Sequence, residues 1–305
     1  MNIASIDIGT NTILLLIANI SRTDGKIKPL VNEYRMPRIG RGLQPGGPIS
    51  ENSVKAMLDV MEEYSSIIKS GKCSHVIARA TSAMRLASNS SYIISLVKEK
   101  FGIDIRVISG EEEARLSFLG AVSGVDSEKY VVIDIGGGST EVIYGDRKNI
   151  SFSKSFLGGV VSFTEKFIRH DPPLDAEIEE LDKAIEEKFF ELKDKFPPGF
   201  SIVAVAGTPT SLSCVKQGLR HYDESLVENS ILTLEDVTRM AAEFSKLKAS
   251  EILRLYPEIM KGREDVIFSG TLILKNLMKL LPSKSLIVSG RGIRYGAVID
   301  FLEKL

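Results

Sequence analysis

Apolar residues run almost unbroken through residues 3–8, pause over "GTNT", and resume through Ile13–Ile20. Runs of that length, rich in isoleucine and bounded by a glycine turn, predict two buried strands. "TDGK" at 23–26 predicts a turn into a third strand beginning near Ile27, so the chain opens as a meander. After the Gly/Pro-rich loop "GRGLQPGGPIS", the spacing of Val54, Met57, Leu58, Met61 and Tyr64 predicts a helix over 51–69. "SHVIARAT" and "IDIRVIS" read as further strands, and a helix follows from Gly110.

At Tyr130 the pattern restarts. A strand over 130–135, a glycine turn, a strand over 140–144, the turn "GDRK" and a strand over 150–156 form a second meander. Helical spacing follows over 160–168 and 175–195. Then come the strand "SIVAVAG", a helix opening at Thr208 with Pro209 in its first turn, further helices, the strand "SLIVSG" and a last helix after Gly292. Two meanders, each followed by alternating helices and strands, predict a duplicated α/β chain. The expected domains are 1–124 and 125–305, joined through the short Gly/Ser/Asp-containing link at 123–129.

Composition narrows the function. The 305 residues, 43% hydrophobic and 26% charged, suffice for two cores. Ile13–Ile20 is too short to span a bilayer, is broken by Asn19, and follows no basic segment, so no membrane partner is expected. A net charge of -1 excludes a surface broadly attractive to nucleic acid; an anionic ligand would need a local site. Cys73, Cys214 and three scattered histidines make neither a disulfide framework nor a zinc site, and a cytoplasmic location is the simplest expectation.

Local chemistry is concentrated in the two glycine turns. The first reads Asp7, Ile8, Gly9, Thr10, Asn11, Thr12; the second reads Asp134, Ile135, Gly136, Gly137, Gly138, Ser139, Thr140, Glu141. Glycine lets a ligand approach the backbone and lets successive N–H groups converge on an anion, while the hydroxyls add donors. Phosphate fits such a loop. Its repulsion from Asp7 and Asp134 disappears if the carboxylates hold Mg²⁺ (or Mn²⁺), which takes one or two carboxylates together with phosphate oxygens. Each turn taken alone reads equally as an aspartate capping a strand connection, and it is the repetition that favours the phosphate reading.

The pair of loops resembles the phosphate motifs of the actin, Hsp70 and sugar-kinase superfamily, and "VAGTPTSL" is similar to its nucleoside-side turn. Within it, "GRGLQPGGPIS", "ARATSAMRLASN", "VISGEEEARLSFLGA" and "SGRGIRYGAV" resemble, in order along the chain, the exopolyphosphatase and guanosine pentaphosphate phosphatase family. The resemblance implies two ribonuclease H-like (actin-like ATPase) domains with the active site in the cleft between them. It also implies hydrolysis of a terminal phosphoanhydride, with inorganic polyphosphate the first-choice substrate and guanosine pentaphosphate the runner-up.

Site residues follow from the same resemblance. Asp134 and Glu141, assisted by Asp7, would bind the metal, and the Gly9–Thr12 and Gly136–Thr140 loops would cradle phosphates. On its own, Arg85 reads as an exposed helix arginine; the resemblance makes it the grip on the terminal phosphate. In "SGEEEAR", Ser109 and Glu112 have capping-box spacing and Glu111 complements the helix dipole. Glu113 shares a face with Ser117 and Gly120, opposite the stripe Ala114, Phe118, Ala121 and Val122, and by itself reads as solvated. The resemblance makes Glu113 the general base.

A small-molecule kinase of the same fold and a guanosine polyphosphate sensor without turnover are the rival readings, and homodimerisation is left open. Longer relatives carry an extra helical C-terminal region; its absence before Leu305 implies distributive action or a preference for short chains.

Overall fold

β1 (Asn2–Ile8) is buried on both faces, which is why its sequence is nearly continuous in apolar residues. The computed structural model describes residues 1–21 and 26–304; positions 23–25 of the predicted "TDGK" turn lie outside the described residues. β1 pairs antiparallel with β2 (Ile13–Ile20), and β2 with β3 (Ile27–Arg35). After α1 (Glu51–Ser70), β4 (His75–Ala80) returns parallel to β1, and α2 (Ser82–Leu86) and α3 (Ser90–Phe101) lead to β5 (Ile105–Val107) and α4 (Gly110–Val122). The sheet order is β3-β2-β1-β4-β5.

The second half repeats the plan. β6 (Tyr130–Ile135), β7 (Ser139–Gly145) and β8 (Ile150–Leu157) form the meander, and α5 (Val160–Phe167) and α6 (Asp175–Phe189) follow. β9 (Ser201–Val205) pairs parallel with β6 and leads into α7 (Gly207–Lys216). Next come α8 (Glu224–Val227), β10 (Ile231–Thr233), α9 (Leu234–Phe244), α10 (Ala249–Leu255), α11 (Pro257–Met260), α12 (Ile267–Leu280) and β11 (Ser285–Val288). The order β10-β11-β9-β6-β7-β8 contains the same five-strand core with one added edge. That edge, the three-residue β10, falls in a stretch whose sequence reads only as helical, because three residues carry too little alternation to register. Both halves are thus ribonuclease H-like α/β units, as the sequence predicts.

The chain divides into unit 1, Met1–Gly120 with Ile293–Leu305, and unit 2, Ala121–Gly292. The last helix, α13 (Ile293–Leu302), therefore belongs with the first unit, whereas a simple cut after residue 124 would give it to the second. Its Tyr295, Ala297 and Val298 pack with Ile3, Leu16 and Ala18, on the sheet face opposite the core of α1 and α3. Arg115 of α4 also donates to Asp300 of α13 at 2.6 Å. Unit 2 has one large core, in which α12 contributes residues from Ile267 to Met278.

Candidate active site

The two glycine loops close in the same way. Gly9 N–H donates to Thr12 O and Gly136 N–H to Ser139 O, each at 2.9 Å. A Cβ on either glycine would lie 3.0 Å from that same carbonyl oxygen, so the turn leaves little room for any other residue. In both loops the aspartate two residues earlier is the penultimate residue of its strand.

Both loops also have their carbonyls tied back. In unit 2, Gly136 O accepts from Val160 N–H at 2.9 Å, Gly137 O from Val161 N–H at 2.8 Å, and Gly138 O from Gly158 N–H at 3.1 Å. Val160 and Val161 open α5, so the loop supplies acceptors to donors that a helix start leaves unpaired. Gly159 permits the contact: a Cβ there would sit 2.3 Å from Gly136 O. In unit 1, Thr10 O accepts from Gly40 N–H at 2.9 Å and Asn11 O from Arg38 N–H at 3.1 Å. In a trans peptide the N–H of the next residue points opposite to the C=O. Tying back the carbonyls therefore turns the amides of Asn11 and Thr12, and those of Gly137, Gly138 and Ser139, to the other side of their loops. Convergent amides of this kind form an anion-binding concavity.

The hydroxyls behave less uniformly than the sequence suggests. Thr140 is fully buried and donates its hydroxyl to Gly158 O at 2.7 Å, so its side chain braces the loop instead of facing a ligand. Thr10 and Ser139 are also buried, while Gly9, Asn11, Thr12 and Gly136 to Gly138 are partly exposed.

Registers distinguish the acids. Asp134 lies directly opposite Glu141 across β6 and β7, so both side chains leave the same face of the sheet. They are only 7% and 1% exposed. Two buried like charges in a cross-strand pair repel, and a hard divalent cation removes the repulsion. Among the described residues no group of three or more His, Cys, Asp or Glu forms a metal cage. The pair thus fits a cation completed by phosphate and water oxygens, the manner of Mg²⁺. In unit 1 the corresponding partner of Asp7 is Leu14, and on its other side Arg79 of β4 is in register. Asp7 is therefore flanked by an apolar residue and a cation where Asp134 faces a second acid.

Arg85 and Glu113 come together within unit 1. Arg85 lies in α2, directly after β4, and its Nη1 donates to Glu113 Oε2 at 2.9 Å and to Ile108 O at 2.8 Å. Glu113 is 6% exposed. The helix-face reading of Glu113 as solvated is thereby overturned: Ser117 and Gly120 beside it are buried too, and α4 is covered on nearly every side. Half of the predicted cap forms, since Ser109 Oγ accepts from Glu112 N–H at 3.1 Å. The carboxylate of Glu112 instead pairs with Arg106 at 2.8 Å. Sequence reasoning did not single out Gly159, Gly40 and Ser155, whose contacts with Gly136, Thr10 and Glu141 span 14 or more residues and leave no local signal.

A family model described as the Ppx/GppA phosphatase family matches residues 17–305. A bifunctional 3-dehydroquinate synthase/phosphatase of Fusobacterium nucleatum is 32% identical over 98% of this chain, which spans only 46% of that longer protein. Exopolyphosphatase 2 of Mycobacterium tuberculosis is 28% identical, with 93% of this chain and 92% of that one covered. Among solved structures, an exopolyphosphatase from Cytophaga hutchinsonii superposes with a TM-score of 0.91 at 26% identity, covering 100% of this chain and 99% of that one.

Proposed function

The chain belongs to the Ppx/GppA phosphatase family, and from that premise we propose that it hydrolyses the terminal phosphoanhydride of inorganic polyphosphate, releasing orthophosphate. The observation that carries the reading is that each unit holds a loop whose tied-back carbonyls turn its amides outward, and that in unit 2 the loop joins the strands of the buried acids Asp134 and Glu141. The exopolyphosphatase names of two similar proteins support the same substrate.

Each residue has a distinct task in this reading. The amides of Asn11 and Thr12 and of Gly137, Gly138 and Ser139 bind phosphate oxygens. Arg85 grips the terminal phosphate with guanidinium donors beyond the Nη1 that holds Glu113, a use suited to its fixed fork of N–H groups. Glu113 takes a proton from the attacking water as the water oxygen bonds to the terminal phosphorus and the bridging P–O bond breaks. The chain leaves shorter by one phosphate. Asp134 and Glu141 would hold Mg²⁺ or Mn²⁺, with Asp7 in a supporting part, and the cation would offset charge on the phosphates when bound. Positioning and charge neutralisation are the dominant contributions to phosphoryl transfer.

Guanosine pentaphosphate is the second reading, since its 5′ terminus offers the same bond to the same groups. The deciding experiment measures phosphate release from long polyphosphate, short polyphosphate and guanosine pentaphosphate, each with Mg²⁺ and with chelator. The expected result is metal-dependent release, fastest from polyphosphate. Faster release from guanosine pentaphosphate selects the second reading, and no release from any of the three overturns both.

A further inference from the structure

Four glutamates whose side chains are largely shielded from solvent accept identified hydrogen bonds. Glu113 is held by the Arg85 guanidinium. Glu228 accepts from Gly290 N–H at 2.7 Å and Ser289 Oγ at 2.9 Å, and lies 3.6 Å from Arg291 Nε. Glu177 accepts from the backbone of Arg169 and Leu174 and faces His170 Nδ1. Glu141, the most deeply buried of the four, accepts from Ser155 Oγ at 2.6 Å.

Ser155 is placed for this by register. It lies opposite Glu141 across β7 and β8, as Asp134 lies opposite Glu141 across β6 and β7. One row across three strands thus reads Asp134, Glu141, Ser155, with all three side chains on one face. The neighbours of Ser155 on β8 leave by the other face: Phe156 enters the core, and Lys154 pairs with Glu191 at 2.6 Å. At 2.6 Å the contact is a short hydroxyl–carboxylate hydrogen bond.

We propose that Ser155 is a positioning residue for metal binding, acting through Glu141. The inference rests on the reading of Asp134 and Glu141 as the metal pair. A glutamate has three side-chain torsions to fix before its carboxylate can serve as a ligand, and ordering it beforehand lowers the entropy lost on binding. The chemistry of the donor matters as much as its position. A lysine or arginine would orient the carboxylate but would also neutralise it and repel a divalent cation. A hydroxyl orients it and leaves the negative charge in place. Hydrogen-bond partners of metal ligands typically contribute 10- to 100-fold in affinity.

The test compares the parent with Ser155→Ala, Ser155→Thr, Ser155→Val and Glu141→Gln, all stripped of metal. Mn²⁺ binding is followed by the loss of the free-ion paramagnetic resonance signal, and melting is recorded in chelator. Thr and Val have nearly the same shape and both suit a strand, so this pair isolates the hydroxyl even if the Ala variant folds poorly. Ser155→Val should bind Mn²⁺ about 10-fold or more weakly, Ser155→Thr within a few-fold of the parent, and Glu141→Gln weakest of all. Hydrolysis by Ser155→Val should fall at limiting metal and recover at saturating metal. Equal Mn²⁺ affinity in the Thr and Val variants overturns the proposal, whatever their melting temperatures, provided that Glu141→Gln is impaired. If Glu141→Gln also binds Mn²⁺ as the parent does, the metal-pair reading itself fails.

Discussion

Arg85 donates to the carboxylate of Glu113 from 2.9 Å, joining the short helix α2 to the first turn of α4. The contact gives a buried glutamate a fixed orientation and a reason to sit where solvent scarcely reaches it. It also separates Glu113 from its neighbours: Glu111 is exposed, and Glu112 is turned toward Arg106.

Glu113→Gln keeps the size and polarity of the side chain but removes the proton acceptor. The turnover rate should fall by roughly 10² to 10⁴, with substrate affinity changed far less. Glu111→Gln and Glu112→Gln should remain active and show at most a small drop in melting temperature, because the dipole and exposed ion-pair interactions they lose are each about 0.3 to 1 kcal/mol. Steady-state phosphate release and thermal melts of the three variants check the pattern. Near-parental turnover by Glu113→Gln removes it from the role of base.

Asp134→Asn deletes one member of the like-charged pair. With limiting Mg²⁺ the variant should release almost no phosphate while keeping the parent fold. A variant that hydrolyses at parental rates at limiting Mg²⁺ shows that the two acids do not form a metal pair.

Gly159→Ala adds a methyl group 2.3 Å from Gly136 O and 2.6 Å from Gly137 C, both backbone atoms that cannot swing aside. The start of α5 must separate from the loop, at a cost of about 1–3 kcal/mol. Because that contact ties back the loop carbonyls, the KM for the phosphate substrate should rise as well. Denaturant melts and KM measured together test the coupling; a stable variant with unchanged KM breaks it.

Asp236 provides a pH test remote from the proposed chemistry. Its carboxylate accepts from the Thr233 N–H and hydroxyl at the start of α9 and pairs with Lys216 at 2.7 Å. Burial pulls its pKa upward, but the Lys216 ammonium and the Thr233 donors outweigh this and hold it at about 2, against an ordinary 3.8. A folded-state pKa below the unfolded one means stability that is present above about pH 4 and is lost as pH falls toward 2, roughly 2 kcal/mol in all. Asp236→Asn should therefore be less stable than the parent at pH 6, and the gap should close between pH 4 and pH 2. A gap that stays constant over that range contradicts the assignment.

The sequence by itself determined every strand but β10, the order of the strands in each meander and the two glycine turns. Those features are written locally: a strand buried on both faces needs a continuous apolar run, and a turn closed from Gly9 to Thr12 or from Gly136 to Ser139 needs glycine at its first position. Asp134 and Glu141 were legible as a pair because a tight hairpin fixes which residues oppose each other.

Only the tertiary structure decided which polar groups meet. The periodicity of α4 left Glu113 on a solvated face, yet it is buried and meets Arg85, which comes from 28 residues away. Thr140 and Ser155 alternate along neighbouring strands like any other strand residues. Thr140 braces Gly158, and Ser155 holds Glu141, because register and the arrival of α5 set their partners. The last helix follows unit 2 in sequence yet belongs to unit 1, since the apolar face of β1 and β2 left open by α1 and α3 is the surface its own apolar residues fill. Local pattern fixes the direction in which a side chain points; what it points at depends on contacts between segments far apart in the chain, and those form only when the units fold.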